Sequence, residues 1–140
     1  GATHSLAVVS PTGSFLAYTS IESGVDEIFV STFPEGGGKW QVSNDGGQLP
    51  VWSRDGRRIL FVKDGAIWSS DVQTRSGFSA TEPKPYLKGA YILRTAPFRN
   101  FDAGPGNRLA LVTRRTAVPA RRQLEILFGL DHPPASSASR

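Results

Sequence analysis

The sequence predicts an all-β fold built from short antiparallel strands, and three observations support that class. Apolar and polar residues alternate over short stretches such as 27–33 and 66–72, which is the period of a half-buried strand. Clusters of Gly, Pro, Asn and Asp, which suit tight turns, separate those stretches. No stretch keeps a sustained apolar period of about 3.6 residues, so we expect almost no helix.

One pattern of turn and strand recurs three times along the chain. Residues 10–13 (Ser-Pro-Thr-Gly), 53–56 (Ser-Arg-Asp-Gly) and 104–107 (Gly-Pro-Gly-Asn) each lead into a polar residue and then an apolar strand. Strands between these turns bring each full unit to four. Four short strands in a unit of about forty to fifty residues are the make-up of a propeller blade. The sequence therefore predicts a partial β-propeller of about two and a half four-stranded antiparallel blades.

The turns also set the expected boundaries. We assign residues 1–48 to a first blade, 49–93 to a second, and 94–130 to a third, incomplete blade. The strands of the third blade are expected near residues 98–101, 109–113 and 124–128, with no fourth strand. Residues 131–140, rich in Ser, Pro and Ala, are expected to be a disordered tail. The open third blade and the missing initiator Met lead us to expect a piece of a longer chain.

The composition excludes several kinds of chemistry. The chain has no cysteine, so disulfides, thiolate nucleophiles and zinc–thiolate sites are ruled out. Its two histidines, His4 and His132, lie near the ends, and there is no Gly-x-Ser-x-Gly motif, so a nucleophile would lack a positioned base. The motifs of phosphoryl transfer are also absent. We expect no catalytic residue, cofactor or metal in this chain.

The acidic residues allow two interpretations. Paired carboxylates cleave sugars in some enzymes, and the chain has acids in several of its turns. Those acids are Asp26, Glu27, Asp45, Asp55 and Asp64. We favour turn chemistry, in which an Asp side chain accepts hydrogen bonds from nearby backbone. No run of alternating acids that would suit calcium occurs.

The large aromatic side chains likewise could line a ligand pocket or pack one blade against the next. The residues in question are Trp40, Trp52, Trp68, Phe29 and Phe61. We favour packing, above all for Trp52, which lies directly before a blade turn.

Charge and hydropathy limit the partners. The net charge is +4, and the arginines after residue 93 carry most of the excess. They lack interleaved aromatic residues that could stack on bases, so nucleic-acid binding is not favoured. No apolar run approaches the roughly 20 residues that cross a bilayer. Two or three blades without a closed ring expose apolar faces, so self-association through open blade faces is expected.

Residues 10–30 resemble the TolB-like (WD-like) propeller repeat, with the Ser-Pro-Thr-Gly turn, the strand after it and the Asp26-Glu27-Ile28-Phe29-Val30 run. The continuation through residues 33–56, with its Gly-Gly-Gly-Lys-Trp and Pro-Val-Trp-Ser-Arg-Asp-Gly runs, is similar to the C-terminal propeller of bacterial receptor-type serine/threonine protein kinases. The resemblance extends over residues 6–128. Thr12 departs from it, because an Asp is usual there, and residues 104–107 are an altered turn.

That resemblance implies a non-catalytic sensor or scaffold module that binds a protein or small-molecule ligand, on the extracytoplasmic (periplasmic) part of a membrane-anchored kinase. Two alternatives stay open: a truncated structural fragment without independent function, and an accessory propeller of a peptidase. Propeller ligands usually bind at loops, so we look to the segments 22–26, 34–39 and 84–92. The candidate binding residues in them are Glu22, Asp26, Lys39, Lys84, Tyr86 and Tyr91.

Overall fold

The computed structural model describes residues 6–87, 99–106, 108–114 and 124–127. Those residues form strands, turns and bends without a helix, as expected from the sequence. The strands are β1 (Ala7–Val9), β2 (Phe15–Ser20), β3 (Glu27–Thr32), β4 (Lys39–Gln41), β5 (Gln48–Trp52), β6 (Arg58–Lys63), β7 (Ala66–Gln73), β8 (Ser79–Ala80), β9 (Lys84–Leu87), β10 (Phe101–Ala103), β11 (Leu109–Arg114) and β12 (Leu124–Leu127).

The strands form three antiparallel sheets, each made of strands consecutive in sequence. The first sheet has the order β1-β2-β3-β4, the second has β5-β6-β7 followed by β8 and β9, and the third has β10-β11-β12. Only hairpin connections are needed for such sheets, because neighbours in sequence are neighbours in space. The fold is an all-β partial propeller, as the repeat predicts. The second sheet begins with β5, at Gln48.

The outer edge of the second sheet is divided between two short strands. β8 pairs with Val72 and Gln73 at one end of β7, and β9 pairs with residues 67–69 at the other. Between them the chain is held by the Ser70 hydroxyl, which donates to the Thr81 carbonyl oxygen at 2.6 Å. The expectation that residue 84 begins a long loop is therefore wrong for residues 84–87, which extend the sheet.

The third sheet differs from its expected form at its first strand. β10 begins at Phe101 and ends at Ala103, a few residues later than the predicted strand near residues 98–101. The register explains the shift, because Phe101 and Ala103 pair with Leu111 and Leu109 and point to the same core. Residue 98 and the predicted tail lie outside the described residues.

The turn before the second strand of each sheet is closed by a similar backbone bond. In the second sheet the Ser53 N–H donates to the Arg58 carbonyl oxygen at 2.8 Å, and the Ser53 hydroxyl donates to the Asp55 carboxylate at 2.6 Å. The hydrogen bonds from the Ser53 hydroxyl and from the Arg57 N–H to the Asp55 carboxylate lower the pKa of that carboxyl below its usual range. Asp55 thus stabilises the turn by accepting hydrogen bonds within it, as the sequence indicates.

The other two turns keep less of this network. In the first turn Thr12 replaces the aspartate, and its hydroxyl lies 3.1 Å from that of Ser10. In the third turn a glycine replaces the serine, and the bond from the Gly104 N–H to the Arg108 carbonyl oxygen, at 2.9 Å, remains. A backbone bond across the turn is therefore kept in all three units, while the side-chain bonds are most numerous in the second unit.

A core of aromatic and aliphatic side chains lies between the first and second sheets. Trp52, Phe61, Phe15 and Phe78 are buried there, with Trp40 and Trp68 packed against them. Phe78 from the second sheet lies 5.2 Å from Trp40 of the first, centroid to centroid, in a tilted arrangement. The packing role expected for Trp52 and Phe61 is confirmed. Phe29 instead stacks on Tyr18, its cross-strand partner, on the other face of the first sheet.

A second core joins the second sheet to the third. Leu60, Val62 and Ile67 of the second sheet pack with Leu109 and Leu111 of the third, all of them at most 5% exposed. The second sheet is therefore covered on both faces, so its middle strand β6 is apolar at four consecutive positions, Ile59 to Val62.

Trp52 provides a test of the contact between the first two sheets. Its indole N–H donates to the Val8 carbonyl oxygen at 3.0 Å, and its side chain is only 5% exposed. Trp52→Phe removes this bond and leaves a cavity, so we expect the free energy of unfolding to fall by about 2 kcal/mol. Urea unfolding followed by circular dichroism measures the change. The control Trp40→Phe, at a half-buried position, should cost less; an equal or larger loss there would contradict this role for Trp52.

Candidate functional site

A groove of about 500 Å³ opens at one end of the boundary between the first and second sheets. Three connections meet there: the β2–β3 loop, the segment between β4 and β5, and the β6–β7 turn. We call it the interblade groove. Its main side chains are Ile21, Val25, Asp26, Asp45, Lys63 and Asp64.

One wall of the interblade groove is held by a buried carboxylate. Glu27 is 3% exposed, and one of its carboxylate oxygens accepts from the Gly46 N–H at 2.9 Å while the other accepts from the Ser43 hydroxyl. The Ser43 oxygen in turn accepts from the Ile28 N–H at 2.7 Å. A buried carboxylate needs such donors, because leaving it unpaired is costly. Glu27 therefore fastens the β4–β5 segment to the start of β3.

The same segment is attached a second time, through Asp26 and Gly47. The Gly47 N–H donates to the Asp26 carbonyl oxygen at 2.7 Å, and the Gln48 side-chain amide donates to the Asp26 carboxylate. A Cβ atom on residue 47 would lie 2.6 Å from the Ser43 hydroxyl oxygen, so glycine is required for this close approach. The wall is thus built by contacts of backbone and side chain, before any ligand binds.

Two aspartates on the rim of the interblade groove sit in tight turns. Asp45 and Asp64 have φ angles of 56° and 50°, in the left-handed region that Asp tolerates better than most residues, and each is followed by a glycine. Both side chains are exposed. The sequence-based interpretation of these two residues as turn residues agrees with their backbone geometry, and the turns bring their carboxylates to the groove.

The cation in the groove is already engaged. The Lys63 ammonium donates to the Asn44 carbonyl oxygen and lies 4.7 Å from the centre of the Trp68 ring. Against this one cation stand the carboxylates of Asp26, Asp45 and Asp64. The interblade groove therefore has an excess of negative charge, in a chain whose net charge is positive.

Apolar side chains are exposed on the other wall. Ile21 and Val25 are 49% and 51% exposed, at the two ends of the β2–β3 loop, and both line the groove. Apolar side chains that stay accessible beside polar groups are typical of surfaces that bind a protein. The groove can thus bury apolar groups of a ligand and pair with its cations.

The candidate residues chosen from the sequence lie in three places. Asp26 lines the interblade groove. Glu22 and Lys39 form an exposed ion pair on the first sheet, and the hydrogen bonds from Lys39 and Ser20 lower the pKa of the Glu22 carboxyl. Lys39 itself belongs to β4 and not to a loop. The candidates therefore do not form one site.

Lys84 and Tyr86 belong to β9, so their expected position in a loop is wrong. Tyr86 lies beside Arg58, which forms an ion pair with Asp71 at 2.8 Å and lies 5.5 Å from the centre of the Tyr86 ring. The Lys84 ammonium is 3.9 Å from the same Asp71 carboxylate. Tyr91 lies outside the described residues, as do His4 and His132.

Sequence reasoning missed Ile21, Val25 and Lys63 as groove residues. The available signal was the pair of large apolar residues at the ends of a loop that is otherwise polar, residues 21–25. The residues around Lys63 in the sequence do not indicate that it lies in the groove, because it reaches the groove only when the two sheets pack together.

In the part of the chain that the structure describes, no group of three or more His, Cys, Asp or Glu side chains is arranged to hold a metal ion. Nor do those residues include a helix with the length and apolar surface needed to cross a membrane.

No protein-family model and no curated protein matches this sequence. Among solved structures, the chain is similar to the crystal structure of TolB from Acinetobacter baumannii, with 17% sequence identity and a TM-score of 0.45. The match covers 95% of this chain and 34% of that one, so the present chain spans about a third of its length. The fold assignment rests on the three antiparallel sheets and their registers described above.

Substitution of Glu27 tests whether its carboxylate holds the β4–β5 segment that forms one wall of the groove. Glu27→Gln replaces one accepting oxygen by an NH₂ group that faces a donor, so we expect the free energy of unfolding to fall by about 1–3 kcal/mol. The exchange protection of the Gly46 amide should fall with it. The matched control is Glu22→Gln on the exposed ion pair, which should change stability little. Equal effects of the two substitutions would show that Glu27 does not hold this wall.

Proposed function

We propose that this chain is a non-catalytic binding module, and that a segment of a protein ligand binds in the interblade groove. The observation that carries the proposal is the pair of exposed apolar side chains, Ile21 and Val25, in a groove that also has three carboxylates and a wall segment held by Glu27. Covering the exposed part of each apolar side chain would contribute about 1–2 kcal/mol. The carboxylates favour a ligand that carries Lys or Arg beside an apolar residue.

A binding role also agrees with the position of the groove. It is formed by connections and not by the middle of a sheet, and loops held by a rigid scaffold are where binding residues concentrate. Because its wall is fastened by buried hydrogen bonds, little ordering is needed when a ligand binds, and that lowers the entropic cost of association.

The groove is tested with peptides, since the ligand is unidentified. A phage-displayed library of random heptapeptides is selected on the wild-type chain, and the enriched peptides are synthesised and titrated by calorimetry. We expect peptides with Lys or Arg next to apolar residues, and an affinity at least about tenfold lower for the variant Ile21→Ser/Val25→Ser.

The control for that titration is Val9→Ser, which removes another exposed apolar side chain outside the groove (Val9 is 41% exposed). It should leave peptide affinity unchanged. If the selected peptides bind the double variant as well as the wild type, or if no peptide is enriched, the groove is not the binding site.

We further propose that the module is the C-terminal part of a bacterial serine/threonine protein kinase, with the propeller as its extracytoplasmic sensor. The support is the resemblance of residues 33–56 to that group of propellers. A fragment without independent function and a peptidase propeller are the competing proposals, and the domain that precedes the blades distinguishes them.

The size of the native polypeptide tests the kinase proposal. An antibody raised against residues 20–90 should detect a band several times larger than 15.1 kDa in a lysate of the source organism, and the immunoprecipitate should phosphorylate a generic basic substrate such as myelin basic protein. A band of 15.1 kDa, or a large protein without kinase activity, would contradict the proposal.

A further inference from the structure

The first sheet has one apolar face that no described residue of the second or third sheet covers. Along β2, Ala17 is fully buried toward the second sheet, and its neighbours Leu16 and Tyr18 point to the opposite side. Leu16 pairs across the sheet with Val9, and Tyr18 pairs with Phe29. We call Val9, Leu16 and Tyr18 the outward face of the first sheet; Phe29, on the same side, is already buried, with the Lys39 ammonium 4.6 Å from the centre of its ring.

The repeat shows what this face does in the second sheet. The turns of both sheets are closed by the same bond, from Ser10 to Phe15 and from Ser53 to Arg58. Aligning them places Trp52, Ile59 and Phe61 of the second sheet at the positions of Val9, Leu16 and Tyr18. All three of those second-sheet residues are buried in the core against the first sheet.

The same relation holds once more along the chain. In the third sheet the equivalent residues are Ala103, Leu109 and Leu111, because the turn is closed between Gly104 and Arg108. All three are buried against the second sheet. The second and third sheets therefore pack the same face onto the sheet that precedes each of them, and among the described residues the first sheet has that face free.

Among the described residues, the third sheet has its opposite face uncovered at Val112. Val112, which alternates with the buried Leu111, is 44% exposed. Its equivalent in the second sheet, Val62, is buried against the third sheet at 5% exposure. The described residues thus carry both halves of one type of contact, one half on the first sheet and the other on the third.

We propose that the outward face of the first sheet packs against the Val112 face of the third sheet in a second copy of this chain. Such a contact continues the interface already made twice within the chain. It joins unlike faces, so two copies associate head to tail. This proposal is independent of the ligand groove, which lies between the first and second sheets of one copy.

The mass in solution gives the first test. Sedimentation equilibrium from about 1 to about 100 µM should show a dimer of twice 15.1 kDa that dissociates on dilution. Val9→Glu and Val112→Glu should each weaken dimerisation at least tenfold, because each places a charge in the apolar contact. The control is Val25→Glu, at another exposed apolar side chain (51%) in the β2–β3 loop, and it should leave the dimer intact. Both test positions are exposed, and circular dichroism verifies that the variants fold.

Cross-linking identifies the faces. The chain lacks cysteine, so Val9→Cys and Val112→Cys each introduce a single thiol. In an equal mixture of the two variants, a short bismaleimide should link Val9→Cys to Val112→Cys in preference to either homodimer. A monomer of 15.1 kDa at every concentration would overturn the proposal. So would a dimer that neither glutamate weakens, or one that links Val9→Cys to itself.

Discussion

Burial of apolar side chains between successive sheets is the constraint on which the structure depends. Each sheet has only three or four strands along its main path, and a small sheet is not stable in water until one face is covered. Here the second sheet is covered on both sides, by the core around Phe61 and by the core around Leu60 and Leu111. Trp52 adds a directional bond to this packing, because its indole N–H meets the Val8 carbonyl oxygen across the first boundary.

The turns set the geometry that this packing requires. A backbone bond across each turn fixes where the second strand starts, and so it fixes which side chains face the neighbouring sheet. The side-chain bonds of Ser53 and Asp55 strengthen one turn, and the first and third turns keep the backbone bond with fewer additions. The three units can therefore differ in sequence at the turn and still present the same face to the preceding sheet.

The interblade groove results from the same packing together with one buried acid. Stacking the sheets brings the β2–β3 loop of one unit beside the β6–β7 turn of the next, and Glu27 and Asp26 hold the connecting segment between them. Glu27 lies at the end of a strand whose other residues are apolar or weakly polar. Its burial is tolerated because Gly46 and Ser43 supply donors to its carboxylate, and those donors also shape the wall of the groove.

The sequence by itself determined the fold class, the repeat and the turns, because alternation along a strand and the backbone preferences of Gly, Asp and Asn are local properties. Asp45, Asp55 and Asp64 were identified as turn residues for that reason, and Trp52 as a packing residue. The division of the outer strand into β8 and β9 depended on Ser70 meeting Thr81, which the pattern of residues 84–92 does not reveal. The groove was likewise decided by tertiary structure alone: Ile21 and Lys63 meet only when two sheets stack, and contacts between residues so far apart leave no local signal.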